Sequence, residues 1–311
     1  MAKVLVTGGA GFIGSHIVES LLAEGYEPVI VDIMRTGNRT FVPAGVVLYE
    51  TDISASNLEE VFEKEKPIYA IHLAAQVDVA SSLKDPVGDA GTNIVGTIRL
   101  LDCCRKFNVK KIVYSSSCAV YGDAEQDGGG ITEDFPIRPL TFYGISKFSP
   151  ELYIRAYQQL YGLAFTIFRY ANVYGPRQTP KGEGGVVPIF IGKLSLGDTP
   201  VIYGDGEQTR DFVYVKDVAA ANLLALRKGD NEIFNIGCSR PTSVNRLYEL
   251  ISSLLEVHVP PLYYPKRSGD ITDSLLNHSK AKQQLGWTPG YDLQAGLRET
   301  IDYFRAIQQV L

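Results

Sequence analysis

Tyr143 and Lys147 stand four apart in the run Tyr143-Gly144-Ile145-Ser146-Lys147. On a helix that spacing places both side chains on one face, about one turn apart. An ammonium beside a phenol favours the phenolate and lowers the tyrosine pKa. The pair could therefore supply a general base near neutral pH. The same spacing also fits a surface tyrosine beside a solvated lysine. Ser115-Ser116-Ser117 closes an apolar run that reads as a sheet strand. Ligands of open α/β sheets collect at the carboxyl ends of strands, so a hydroxyl there could share a substrate proton with Tyr143.

A second constellation lies near the start. Four residues of buried-strand character, Val4 to Thr7, run into glycines at 8, 11 and 14, and a helical pattern follows. Glycine lets a strand turn sharply into a helix and lets a pyrophosphate approach the backbone. The helix N-terminus then offers unpaired N–H groups and partial positive charge to the anion. A glycine-rich turn without a ligand would look the same. Asp32 decides between them. It ends the next apolar run, Val29-Ile30-Val31, about 20 residues on, where an acid meets the adenosine ribose hydroxyls.

These residues must be positioned by a chain of 311 residues, enough for one large domain or two ordinary ones. A hydrophobic share of 45% and a charged share of 21% are those of an ordinary globular protein. The net charge of −5 comes without a basic stripe, so no nucleic-acid partner is expected. No apolar run approaches 18 residues and no signal peptide precedes Val4, so a cytoplasmic chain with no membrane partner is expected. Cys103, Cys104, Cys118 and Cys238 lack metal-ligand spacing and read as free thiols. His16, His72, His258 and His278 show no ligand spacing either, and no metal is expected. His72 fits its strand as a hydrogen-bonded core residue.

Short apolar runs at 3–7, 28–32, 46–50, 70–74, 112–116 and 165–169 alternate with helical patterns at 12–24, 57–65, 93–107 and 143–161. Strands alternating with helices imply a doubly wound parallel sheet of the α/β class. After Asn172 glycine and proline cluster and strands shorten, which suggests a smaller α+β lobe that takes the substrate. The division expected is 1–174 for the dinucleotide-binding part and 175–311 for that lobe. The runs at 211–215 and 232–236 are candidates to return to the main sheet. The stripe Ile94, Ile98, Leu101 suits a core or a dimer face.

At this point the chain resembles a known family. The segment Thr7 to His16, Ser117 and Tyr143…Lys147 resemble the extended short-chain dehydrogenase/reductases. His72-Leu73-Ala74-Ala75-Gln76, Val120-Tyr121-Gly122, the run from Arg169 to Gln178, Gly204-Asp205-Gly206 and Arg210-Asp211-Phe212 are similar to the NAD-dependent epimerase/dehydratase branch. The likeness is greatest to its UDP-glucose (UDP-galactose) 4-epimerases. The resemblance implies a Rossmann-type fold, tightly held NAD, a UDP-hexose substrate and a homodimer.

It also implies roles for particular residues. Gly8, Gly11 and Gly14, with the backbone of Phe12 and Ile13, would meet the pyrophosphate. Asp32 would hold the adenosine ribose, and Asp52 and Ile53 would flank the adenine. Leu73, Ala74, Ala75, Gln76, Asn93 and Ser115 would line the cofactor cleft. Lys147 would also bond the nicotinamide ribose, and Tyr170 would lie beside the nicotinamide. Ser117, Tyr143 and Lys147 would be catalytic. Asn172, Arg210, Arg267 and Asp270 would grip the uridine diphosphate, with Gly185, Val186, Val187 and Tyr203 around the nucleotide sugar. Ser274, four past Asp270, would stand where the 4-epimerases wall the sugar near C2, and a small residue there leaves room for an N-acetyl group.

Four departures from the family pattern bear on this. Ile33 follows Asp32 where asparagine is usual, and Arg35 lies close by, yet Asp32 would repel a 2′-phosphate, so NAD is expected over NADP. Pro150 sits inside the predicted catalytic helix and should kink or locally open it. Gly185-Val186 replaces the usual Asn-Leu, so backbone groups must substitute for an amide side chain. Cys118-Ala119 stands where dehydratases carry Asp-Glu and decarboxylases a glutamate. C4 epimerisation of a UDP-hexose is therefore the expected activity. The alternatives are a lyase on the same scaffold, a UDP-glucuronate 4-epimerase, or a non-catalytic NAD-binding protein.

Overall fold

The computed structural model describes residues 1–123, 128–179, 185–266 and 271–308. Seven parallel strands form the main sheet: β1 (Lys3–Thr7), β2 (Glu27–Asp32), β3 (Val47–Glu50), β4 (Tyr69–His72), β5 (Lys111–Ser117), β6 (Ala164–Tyr170) and β10 (Glu232–Ile236). Their spatial order is β10-β6-β5-β4-β1-β2-β3. The order reverses between β1 and β4, the switch point at which such sheets bind dinucleotides.

The strands are buried on both faces, which is why they read as unbroken apolar runs. Alternation sends Val4, Val6, Ile30, Ile71, Val113 and Phe168 to one side, against α1 (Phe12–Ala23) and later α8 (Val215–Ala225). Leu5, Val29, Val31, Ala70 and Ile112 go to the other side. There they meet α2 (Leu58–Glu65), α5 (Gly96–Lys106) and α6 (Phe142–Tyr161). Two short helices, α3 (Val79–Lys84) and α4 (Pro86–Ala90), lead into a π-helical turn at Gly91–Val95 that continues as α5. The helix expected over 93–107 thus has a wider first turn.

Of the two later runs, 232–236 enters the main sheet beside β6, but the other does not. β9 (Thr209–Tyr214) pairs with β7 (Asn172–Tyr174), β11 (Pro241–Ser243) and β13 (Asp273–Ser274) in a separate four-stranded sheet. Both runs have the same apolar character, and only pairing with distant segments separates them. A two-stranded sheet joins β8 (Val201–Tyr203) to β12 (Leu262–Tyr264). A third core, with Phe190, Leu194, Phe212, Tyr214, Leu247 and Leu297, packs α7 (Val186–Ser195), α9 (Val244–Leu255) and α10 (Leu293–Gln308) over these sheets.

Helix α6 runs unbroken across Pro150, so the local opening expected there does not occur. Its ends are well determined. The Thr141 hydroxyl accepts from Gly144 N–H at 3.0 Å, and Gly162 closes the last turn at φ +74°. Pro150 is itself buried, so packing offsets the one hydrogen bond it removes.

Candidate active site

The glycine turn is shaped by contact distances. Gly8 has φ +71°, and a Cβ there would lie 2.9 Å from the backbone nitrogen of Ala74. A Cβ on Gly14 would lie 2.1 Å from the Gly8 carbonyl oxygen, so helix and turn meet as bare backbone. Gly11 caps α1 without a side-chain hydrogen bond. The first N–H groups of a helix have no partner within it. Phe12 and Ile13 pack their side chains against the third core, so their backbone is what faces the turn. Every feature suits a dinucleotide pyrophosphate.

Asp32 is 8% exposed, and its two oxygens accept from Ala10 N–H at 3.1 Å and Met34 N–H at 2.9 Å. Each carboxylate oxygen can accept a second bond, which leaves capacity for a ribose diol. Asp52 accepts from the N–H and hydroxyl of Ser54, both at 2.7 Å. Ile53 is 3% exposed, with its side chain in the core beneath Gly96. Only its backbone could reach an adenine, which narrows the role expected of it.

At the end of β4, His72 is 1% exposed. Thr97 donates its hydroxyl proton to the Asn93 carbonyl at 2.6 Å, so its oxygen accepts from His72 Nε2 at 2.9 Å. Nδ1 is then the acceptor of the Thr7 hydroxyl at 2.7 Å, and Thr7 accepts in turn from Ala74 N–H at 3.2 Å. The neutral ring is satisfied on both sides. Burial, and then the Lys147 charge, push its pKa down to about 3. His72 thus holds the Leu73-Ala74 backbone to β1.

Asn93 is 2% exposed and bonded on both ends of its amide. Its oxygen accepts from Gln76 N–H at 2.7 Å, while its amide nitrogen donates to Gln76 O at 2.8 Å and Ser146 Oγ at 2.9 Å. Gln76 donates from its side chain to Asp89 at 2.8 Å. Ser146 passes its own proton to the Tyr143 carbonyl at 3.1 Å. Asn93, expected from the resemblance to line the cofactor cleft, also ties the loop after β4 to the first turn of α6.

That turn carries Tyr143 and Lys147. Tyr143 N–H donates to Ser82 Oγ at 3.2 Å, and the Lys147 carbonyl accepts from Tyr114 at 3.2 Å. Lys147 is 4% exposed, with Nζ 5.0 Å from the Tyr114 ring centre. It is not a solvated surface lysine. A Cβ on Gly144 would lie 2.8 Å from the Ala119 carbonyl. The Tyr143 turn is thus seated against the turn Cys118–Val120, which the Ser117 hydroxyl caps by accepting from Ala119 N–H at 3.2 Å. At the end of β6, the Tyr170 hydroxyl accepts from Ser115 Oγ at 3.2 Å and Asn222 Nδ2 at 2.8 Å. Burial pushes its pKa up to about 12, so it stays a neutral phenol.

The second sheet brings further residues together. Asn172 is exposed on β7. Arg210 on β9 donates Nη1 to Thr209 O at 2.7 Å and Thr272 O at 3.3 Å. Asp211 faces the other side of the strand, fully buried, and accepts from Cys238 N–H at 2.9 Å and Ser239 N–H at 3.2 Å. It does not form a surface pair with Arg210. Tyr203 meets Tyr264 edge to face at 6.1 Å. Gly185 and Val186 begin α7, but Val187 is 1% exposed, so its side chain belongs to the core and only its backbone could touch a ligand. Arg267 and Asp270 lie outside the described residues.

Ser274 pairs with Arg210 in the strand register and is 8% exposed, while its neighbour Asp273 is exposed. Its hydroxyl donates to Cys118 Sγ at 3.9 Å. Burial raises the Cys118 thiol pKa, so Cys118 is a neutral group. The meeting of Cys118 with Ser274 could not be read from sequence, because 156 positions separate them. Gly144 was legible only as one more glycine. Among the described residues no three His, Cys, Asp or Glu side chains gather as a metal site, and no helix is long and apolar enough to cross a membrane.

Comparison with known proteins agrees with this geometry. A UDP-glucose 4-epimerase from Thermotoga maritima, solved with UDP-glucose, has a TM-score of 0.96 at 44% identity, covering 98% of this chain and 99% of that one. The UDP-glucose 4-epimerase of Thermus thermophilus, in complex with NAD, has a TM-score of 0.93 at 40% identity, with coverages of 97% and 99%. A UDP-N-acetylglucosamine 4-epimerase from Methanobrevibacter ruminantium M1, in complex with UDP-N-acetylmuramic acid, has a TM-score of 0.93 at 36% identity, with coverages of 98% and 99%. The family model described as the NAD dependent epimerase/dehydratase family matches residues 4–237. With its glycine turn, its buried lysine beside Tyr143 and a match over most of its length, the chain belongs to the NAD dependent epimerase/dehydratase family.

Proposed function

We propose that the chain is a UDP-hexose 4-epimerase. One observation carries this reading within the family. The turn after β5, against which the Tyr143 turn is seated, is capped by Ser117 and consists of a neutral Cys118, Ala119 and Val120, with no carboxylate. A lyase needs a further acid and base beside the sugar. An epimerase needs only the base at O4.

The glycine cradle and Asp32 would hold NAD, whose nicotinamide, when bound, takes the C4 hydride and later returns it. Tyr143 removes the 4-hydroxyl proton, with the buried Lys147 favouring its phenolate and Ser117 sharing the hydrogen bond. Asn172 and Arg210, with Arg267 and Asp270, would grip the uridine diphosphate, the arginines at its phosphates. The 4-keto sugar turns over about that anchor, and Tyr143 gives the proton back to O4 on the other face. Asp32 favours NAD over NADP, since its carboxylate repels a 2′-phosphate. The division at 174/175 then separates the cofactor part from the sugar lobe, with β10 returning to the first. Free Cys103 and Cys104 suit a reducing cytoplasm, and a 4-epimerase acting on UDP-galactose would serve galactose metabolism. The small Ser274 beside Cys118 favours action on the N-acetylated pair as well.

The test incubates the purified protein with UDP-galactose, UDP-N-acetylgalactosamine and UDP-galacturonate in parallel. A 4-epimer of UDP-galactose or UDP-N-acetylgalactosamine supports the reading, and a 4-epimer of UDP-galacturonate alone overturns it in favour of a UDP-glucuronate 4-epimerase. A 4-keto-6-deoxy sugar or a pentose overturns it in favour of a lyase, and no product favours a non-catalytic NAD-binding protein. Tyr143→Phe should lose at least about 100-fold in turnover while still retaining NAD and UDP. Near-normal turnover in that variant would remove Tyr143 from the mechanism.

A further inference from the structure

One buried cluster has no part in the chemistry above. Glu151 lies one turn past Lys147 and two past Tyr143, so the three share a face of α6. It is 1% exposed. Its carboxylate accepts a fork from Arg169, Nε at 3.1 Å and Nη2 at 2.6 Å, and also accepts from Ser116 Oγ at 2.6 Å. Arg169, 3% exposed, directs Nη1 to the Tyr121 hydroxyl at 2.9 Å and the Glu133 carbonyl at 3.1 Å. Tyr121 donates to Asn235 Oδ1 at 2.7 Å, and Asn235 Nδ2 donates to Ile131 O at 2.8 Å. Ile131 N–H donates to Leu275 O at 2.8 Å. A line of hydrogen bonds, continued through the backbone of Ile131, therefore runs from the Tyr143 face of α6 to the residue after Ser274.

The members of this line stand next to the site at each end. Ser116 precedes Ser117 on β5, Arg169 precedes Tyr170 on β6, and the two are paired across the sheet. Apolar packing lets a helix slide by a fraction of a turn, whereas a forked guanidinium–carboxylate pair permits one register. A buried ion pair contributes little net stability, because desolvation offsets the attraction. Its geometry is the property that an apolar pair would not replace. We propose that Glu151 and Arg169 are positioning residues, which fix the height of Tyr143 and Lys147 against Ser117 and Tyr170. This rests on the 4-epimerase reading for its kinetic consequences and on the fold alone for its geometry.

The experiment uses the NAD-loaded protein and two variants that leave formal charge unchanged, Ser116→Ala and Arg169→Lys, with Glu151→Gln as the severe case. Lys111→Met is the control. It removes another buried cation, bonded to Asp230 at 2.5 Å at the far end of β5. Turnover and KM for UDP-galactose are measured across pH. The Tyr143 ring is titrated by NMR after carbon-13 labelling of tyrosine, assigned through Tyr143→Phe. Ser116→Ala and Arg169→Lys are expected to lower kcat at least about tenfold with KM changed less than about twofold, as a misplacement near 1 Å can cost up to about 100-fold. The Tyr143 midpoint and the acidic limb of kcat should rise together by about one pH unit, since the ammonium no longer sits where it favours the phenolate. Lys111→Met should lose stability and move neither. Wild-type kcat and an unmoved Tyr143 midpoint in both charge-neutral variants would overturn the proposal, as would a loss of thermal stability alone. If the wild type turns over no UDP-sugar, the functional reading falls while the Tyr143 titration still decides the positioning. If Glu151→Gln does not fold, the two milder variants decide it.

Discussion

Single residues here are legible by charge and by space. His72 remains neutral in the fold, since burial holds its pKa near 3 against an ordinary 6.5. Between those values the unfolded chain binds a proton that the native state refuses. This group's contribution is therefore complete above pH 6.5 and is lost as pH falls toward 3, at roughly 1.4 kcal/mol per pH unit. Asp211 acts in the opposite sense, because burial raises its pKa to about 6 and the native state holds the extra proton. A difference between variants separates the two. The stability of wild type relative to His72→Gln, from urea midpoints, should fall steadily as pH drops from 6.5 to 4.5, and a difference that stays constant would refute the assignment. Ser274 is a matter of volume. Overfilling a packed pocket costs about 1–3 kcal/mol. Ser274→Tyr should thus cut activity on the N-acetylated sugar at least several-fold and largely spare UDP-galactose. Equal losses on both sugars, measured by product analysis, would exclude a gatekeeper at 274.

At the scale of elements, much of the main sheet was legible because its signals are local. The glycines of the first turn, Asp32 and the Tyr143–Lys147 spacing each fall within one strand–helix unit, and apolar runs of sheet length mark β1 to β6. The pairing partners of 209–214 and 232–236 were not legible, since register with a distant strand leaves no mark on either segment. Nor was Asn93 as a brace for Ser146, or the survival of α6 across Pro150, because both depend on tertiary contacts. The seating of α6 on the turn after Ser117 is the element contact on which the site depends most directly. Alanine at 144 would improve local helix propensity by about 1 kcal/mol, yet its Cβ would meet the Ala119 carbonyl at 2.8 Å and Pro139 Cβ at 3.0 Å. Backbone must then move, and Tyr143 moves with it. Gly144→Ala is expected to keep its NAD and lose at least about tenfold in kcat. Wild-type turnover in this variant would show that the close approach has no catalytic consequence.

For the whole molecule, the same helix has an outward face. On α6, Ile145, Leu152, Tyr153 and Leu160 are 45%, 51%, 42% and 71% exposed, while Glu151 and Ile154 between them are buried. Spacings of seven, one and seven residues place the four on one stripe. Val95, at 49%, opens the adjoining face of α5, and Tyr157 joins the two helices through a 2.8 Å bond to Asp102. An exposed apolar stripe along a helix, with Val95 next to it, is the kind of surface that pairs with another chain. A two-fold axis would bury it against its own copy, since such an interface uses the same patch twice. We therefore expect a homodimer through α5 and α6, in which the partner's helices press on α6 from the side opposite Tyr143 and Lys147. Sedimentation equilibrium should give twice the chain mass of 34.1 kDa for the wild type. Leu152→Glu would place two like charges near the axis in a desolvated contact and should give the chain mass alone. A wild type that sediments as a monomer, or a Leu152→Glu variant that still pairs, would show that this stripe is not the dimer surface.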